Sequence, residues 1–301
     1  MRLRLLVVLS FLTLPIYANY REFLDVPVDP SINSRLRHAA EASLQAFPKM
    51  KAEDLALTMI DVTNANTIGR GDYHGDVPFY PASVVKLFYM EDVYATHKET
   101  VGDVDRALKE MIVVSDNDAT AYIVDILAGT EPGTPLNPRK LKKFVAKRRE
   151  ITERFQKLGY TDNVNAMMKP WSFGPFGRDA QALGPNRENR NKATSNAVAS
   201  LLLWIVRGRA PSSSAMMTLL ERPLSPPRKD ENQITEFIGA SLPADAKLWS
   251  KAGWTSEVRH DAAYIELPTG QKFILVIFTR GTADDVTLIP GITKKVLEEL
   301  R

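Results

Sequence analysis

The chain contains no cysteine, which excludes disulfides, thiolate metal sites and a cysteine nucleophile together. Histidine is scarce. His38, His74, His97 and His260 are scattered, and none has the His-Glu-x-x-His spacing of a helical zinc site, so no metal or other cofactor is expected. The same scatter offers no obvious Ser-His-Asp order. An excess of charge is missing too: 39 Lys and Arg stand against 36 Asp and Glu, a net charge of +3. That balance gives no reason to expect nucleic acid as a partner. The one apolar run with the flanks of a targeting signal is N-terminal, where Arg2 and Arg4 precede Leu5 to Leu14 and Pro15-Ile16-Tyr17-Ala18 follows. This is the order of a cleavable secretory signal peptide over 1–18. The run is short of the ~20 residues that span about 30 Å of hydrocarbon. Stable membrane insertion is therefore not expected, and a secreted or periplasmic location is. An exported chain without disulfides must hold itself by its core alone.

What is present suffices for that. The 301 residues are 44% hydrophobic, enough for one large domain or two interleaved lobes. Ser31 to Phe47 has the three- and four-residue apolar spacing of an amphipathic helix, with Ser31 as its N-cap and Pro48 as its stop. Leu55 to Ile60 reads as a strand, and the turn cluster Asp61 to Asn66 predicts a hairpin partner. Pro81-Ala82-Ser83 opens a helix. Further helices are expected over Val104–Ile112, Ala119–Leu127, Leu141–Leu158, Ala197–Val206 and Ile292–Leu300. Asn165 to Asn191, rich in Gly, Pro, Asn and Arg, reads as a long loop, and loops of that length are usually functional or mobile. Ala246–Ser250, His260–Leu267 and Lys272–Arg280 read as strands, the last apolar throughout and so expected to be buried on both faces. The fold class is α/β of the α+β type. A mixed, mainly antiparallel sheet is built from both chain ends (about 31–82 and 210–301) and flanked by helices, with an all-helical lobe (about 83–209) inserted within one domain over 19–301.

Three short motifs occur in order: Ser83-Val84-Val85-Lys86, Ser115-Asp116-Asn117 and Lys251-Ala252-Gly253. An S-x-x-K alone is expected about once by chance in a chain this long, because Ser and Lys are common. S-D-N downstream of it, and K-x-G on a late strand, make the set specific. Residues three apart share a helix face, so Ser83 and Lys86 can meet. A serine hydroxyl is a weak nucleophile until a neighbour takes its proton. A lysine can do so only when burial or a nearby cation lowers its pKa, and Lys251 is the candidate cation. Ser83 at a helix start also places backbone N–H groups where negative charge develops.

With these motifs the chain resembles the class A β-lactamase and penicillin-binding-protein family of serine hydrolases. The likeness runs from about the first helix to the last. It implies an acyl-enzyme on Ser83, with Lys86 as base partner and Ser115 as proton relay to the departing nitrogen. It also implies substrate contacts at Asn117, Lys251 and Gly253, and an oxyanion hole from the N–H groups of Ser83 and Trp254. The implied substrate is a small β-lactam or a peptidoglycan peptide, and the chain is expected to be a monomer. A D-Ala-D-Ala carboxypeptidase or esterase, and a sensor that is acylated without turnover, share the same motifs.

Two departures bear on the activity. Ala252 stands where the family carries a hydroxyl residue, and strand alternation puts Thr255 on the opposite face. The loop also lacks the family's E-x-x-L-N, whose glutamate activates the deacylating water. Counting from Gly159 puts that position near Trp171, and the loop's only acids are Asp179 and Glu188. Trp171, Phe173 and Phe176 either line a substrate cleft or pin the loop to the body. The basic stretch Arg139 to Arg149 reads as a solvated helix face.

Overall fold

The computed structural model describes residues 25–97, 100–160, 163–225 and 232–300; the expected leader over 1–18 lies outside the described residues. Helix α1 (Pro30–Ala46) begins one residue earlier than its sequence pattern, because Asp29, not Ser31, is the N-cap. The Asp29 carboxylate accepts from the amides of Ser31 at 2.7 Å and Ile32 at 3.4 Å, two of the donors that a helix start leaves unpaired. Strands β1 (Leu55–Asn64) and β2 (Thr67–Tyr73) form the expected hairpin, with β1 running through most of the turn cluster.

A 3₁₀ turn (Ala82–Val85) then leads into α2 (Lys86–Thr96). The lobe continues with α3 (Asp103–Lys109), a π turn (Glu110–Val114), α4 (Asn117–Ala128) and α5 (Pro138–Phe155). The stretch read as one long loop has structure of its own. It opens on the two-residue strand β3 (Val164–Asn165), carries helix α6 (Gly177–Leu183), and closes on β4 (Lys192–Ala193), which pairs with β3. Helices α7 (Ser195–Val206) and α8 (Ser213–Leu220) follow, then β5 (Glu221–Arg222) and α9 (Asn232–Thr235). The chain ends on β6 (Lys247–Trp254), β7 (Val258–Glu266), β8 (Lys272–Arg280) and α10 (Leu288–Glu298).

The main sheet has the order β2-β1-β8-β7-β6-β5 and is antiparallel throughout, so the two chain ends meet at the β1–β8 pair. Period-two alternation divides its residues between two cores. On β8, Phe273, Leu275 and Ile277 face α1 and α10, with Ile32, Leu36, Leu288 and Ile292. Ile274, Val276 and Phe278 face the helical lobe, with Val84, Phe88 and Leu201. On β6, Trp249 packs on the lobe side and Leu248 and Ala252 on the other. Lys251, in phase with Trp249, is thereby aimed at the lobe. Among the described residues no helix is long and apolar enough to cross a membrane.

Candidate active site

Strand β5 covers only Leu248 and Trp249 of β6. Beyond them the outer edge of β6 has no strand partner among the described residues, and it lies against the 3₁₀ turn that carries Ser83. The approach is so close that a Cβ on Gly253 would stand 2.7 Å from the Ser83 amide nitrogen and 2.8 Å from that of Val84. Glycine is required there because backbone meets backbone. Gly253 thus brings the turn that carries Ser83 beside the strand end at Trp254, the two elements expected to supply the oxyanion hole. Ala82, immediately before Ser83, has φ +45°, a conformation that strains a residue with a Cβ. Ser115 is likewise left-handed, with φ +64°.

The three motifs converge. Lys86 is fully buried, and its Nζ donates to Ser115 O at 2.7 Å, Asn117 Oδ1 at 2.9 Å, Ser115 Oγ at 3.2 Å and Asp116 O at 3.4 Å. Lys251 is also fully buried, and its Nζ donates to Ala252 O at 2.8 Å, Ser115 Oγ at 3.0 Å and Gln233 Oε1 at 3.0 Å. Burial pushes the Lys86 ammonium down to about 7, against a smaller opposing pull from Asp116. Burial, and then the Lys86 and Arg222 charges, hold Lys251 well below the usual lysine range. Ser83 Oγ is not among the four acceptors of Lys86. Asp116 caps α4 through Ala119 N at 2.6 Å, so the motif that carries chemistry also starts a helix. Lys251 thus has each of its three protons in an internal hydrogen bond.

Several groups lie elsewhere than the sequence pattern suggests. Ala252 has 0% exposure, against the core on the α1 and α10 side. Asp179 is buried, accepting from Arg148 Nη2 at 3.1 Å with Lys169 Nζ 3.8 Å away. Asp125 completes that cluster, paired with Arg148 at 2.7 Å and Lys169 at 2.5 Å. Glu188 is exposed, beside Arg149, Thr152 and Lys192. Arg139, Lys140, Lys142, Lys143, Lys147 and Arg149 are solvated as expected, but Arg148 is not. Trp171 pins the loop against Phe144, whereas Phe173 and Phe176 are 85% and 72% exposed.

The loop does touch the site, through a residue the sequence did not single out. Ser172 Oγ accepts from Asn117 Nδ2 at 3.3 Å, one position from the Trp171 estimate. Gln233 was also missed, since it follows a stretch with no local pattern. His260 lies opposite Gly253 on β7, but its ring nitrogens are engaged by Tyr80 O at 2.8 Å and the Thr279 amide at 3.0 Å. Nδ1 accepts and Nε2 donates, a neutral ring that burial pushes down to about 4. It braces the approach to Ser83 and is not part of a triad.

The turn that carries Ser83, two buried lysines and the Ser115 hydroxyl between them are gathered at one strand edge, a set that fits a serine hydrolase. The "Beta-lactamase enzyme family" model matches residues 95–300, and the chain belongs to that family. The matched range holds Ser115, Asn117 and Lys251 and begins after Ser83 and Lys86. Among solved structures, PBP-A matches with a TM-score of 0.63 at 16% identity, over 91% of this chain and 98% of that one. The β-lactamase from Sphaerobacter thermophilus DSM 20745 matches with a TM-score of 0.60 at 20% identity, over 87% and 96%. The TLA-1 extended-spectrum β-lactamase matches with a TM-score of 0.64 at 13% identity, over 89% and 99%. At these identities the likeness is one of fold. No curated protein matches.

Proposed function

We propose that the protein is an exported, monomeric, cofactor-free serine hydrolase that opens β-lactam-like cyclic amides through an acyl-enzyme on Ser83, and that release of the acyl group is its slow step. The observation that carries the reading is the convergence of Lys86 and Lys251 on Ser115 Oγ beside the Ser83 turn. Neutral Lys86 takes the Ser83 hydroxyl proton as the Oγ–C bond forms. The tetrahedral oxyanion faces the N–H groups of Ser83 and Trp254. As the C–N bond breaks, Ser115 gives its proton to the departing nitrogen and regains one from the Lys86 ammonium. Asn117 positions the acyl-side amide, and Lys251 with the Gly253 strand edge holds the other end of the substrate.

Hydrolysis of the ester needs a base on the opposite face. Asp179 is held by Arg148, and Glu188 is exposed beside Arg149, Thr152 and Lys192, which supports a loop without a deacylating base. General-base assistance is worth about 10²–10⁴-fold, and its loss leaves a long-lived adduct. This favours a penicillin-binding behaviour, with a carboxypeptidase, esterase or sensor role, as the second reading. Intact-mass measurement over time after mixing with benzylpenicillin tests both. A persistent adduct of the drug's mass, absent in Ser83→Ala, is expected. Labelling of Ser83→Ala, or turnover of about 10 s⁻¹ or more without a burst, would overturn the reading.

A further inference from the structure

A recess of about 230 Å³ lies between the loop of residues 169–191 and the β6–β7 turn. Its walls include Tyr80, Trp171, Arg187, Arg190, Thr255 and Glu257. Thr255 follows Trp254, and consecutive Cα atoms are about 3.8 Å apart. Tyr80 is three residues from Ser83, a reach of about 11 Å at most. The recess therefore lies near the end of the strand that carries Trp254, and neither Ser115 nor Lys251 lines it.

Its floor is built. The Arg190 guanidinium lies 3.8 Å from the Tyr80 ring centroid and donates to Glu257 Oε2 at 2.9 Å, so its charge is matched. Lys169, also in the wall, is matched by Asp125. Arg187 is different. It is exposed, sits in the left-handed region at φ +57°, and its side chain makes no ion pair or hydrogen bond with any described residue. Its charge is felt by Tyr80 and Glu257 from beyond pairing distance. The recess thus offers one uncompensated cation beside an aromatic wall and the Thr255 and Ser256 hydroxyls.

We propose that Arg187 makes this recess an anion-selective subsite, so that the protein prefers substrates whose acyl arm carries a carboxylate. The inference rests on the acyl-enzyme reading above. An acyl arm leaving the carbonyl past Trp254 enters between Trp171 and Tyr80, and a carboxylate on it meets Arg187. A guanidinium fork suits a planar carboxylate.

The test compares benzylpenicillin with its α-carboxy derivative, which differ by one carboxylate on the acyl arm. Second-order acylation constants are read by intact mass at low salt and in 0.5 M NaCl. In the parent protein the ratio of carboxy to parent drug is expected to exceed that in Arg187→Asn by about three- to tenfold, and to shrink in high salt. Asparagine and aspartate tolerate the left-handed backbone, and Arg187→Asp should lower the ratio further, below that of Arg187→Asn. Equal ratios in parent and both variants, with benzylpenicillin still acylating, would overturn the subsite alone. No acylation by either penicillin would overturn the acyl-enzyme reading and the subsite with it.

Discussion

Lys86 and Lys251 donate to one oxygen, Ser115 Oγ, from 3.2 and 3.0 Å. Two ammonium groups in a buried space oppose each other's charge, and the shared hydroxyl joins them in one proton path. The first prediction follows from Lys86. In the proposed mechanism its free-base form accepts the Ser83 proton, so the acylation rate should rise with pH through about 7 and level off above it. Lys86→Arg should not restore the rate lost in Lys86→Ala, because a guanidinium does not deprotonate; each loss should be about 10²–10⁴-fold. Stopped-flow labelling with a fluorescent penicillin from pH 5.5 to 9 checks this. A flat profile would remove Lys86 from the base role.

The same buried amine makes stability depend on pH. The folded-state pKa lies below the unfolded one, so between about 7 and 10.5 the unfolded chain binds more protons. Stability therefore rises with pH across that window. From pH 7 to 9 the gain from Lys86 is of order 2–3 kcal/mol. Denaturant unfolding of the parent and Lys86→Met should show their stability difference shifting by that amount toward the parent. Lys251 is shifted in the same direction in both proteins, chiefly by burial. A constant difference would mean that Lys86 is charged in the folded state.

Arg148 holds the loop from beneath. It is 0% exposed and bridges Asp125 and Asp179. Removing one partner of a buried ion cluster typically leaves an uncompensated charge at about 3–5 kcal/mol, and Arg148→Ala should lose stability of that order. Glu188→Gln, by contrast, should leave both stability and the adduct lifetime unchanged. A shortened or lengthened adduct in Glu188→Gln would show that this acid acts on the ester after all.

Ala252 gives a prediction opposite to the one a motif alignment suggests. Its methyl is fully buried in the core on the α1 and α10 side, so Ala252→Thr inserts a hydroxyl and a methyl into a filled core. Overpacking of this kind costs about 1–3 kcal/mol. Thermal unfolding should register that loss, with no gain in penicillin acylation. Faster acylation by Ala252→Thr would place the side chain in the cleft.

The sheet and lobe were legible because the strands and helices have strong periods, and the three motifs were legible because their chemistry demands fixed spacings. What was hidden depends on contacts far apart in the chain. The Asp29 cap was overlooked because Ser31 is an equally good capping residue by type, and only the backbone decides between them. Helix α6 was read as loop because its seven residues lie in a Gly- and Pro-rich stretch. Asp179 looked available as a base until Arg148, 31 residues away, was placed beside it. Ser172 and Gln233 carry no motif, and only the folded chain brings them to Asn117 and Lys251.

The pairing of β1 with β8 reaches across more than two hundred positions, Leu57 lying opposite Ile277. Such non-local pairing makes for high contact order and slow folding. It also means that Ser83 and Lys251, from opposite sides of the inserted lobe, come together only when the last strands have arrived. A nascent or truncated chain lacking β6 to β8 carries Ser83 but not the strand edge against which it is set. On the proposed acyl-enzyme reading, penicillin reactivity is therefore acquired late in the life of each molecule, as a report that the entire sheet has closed.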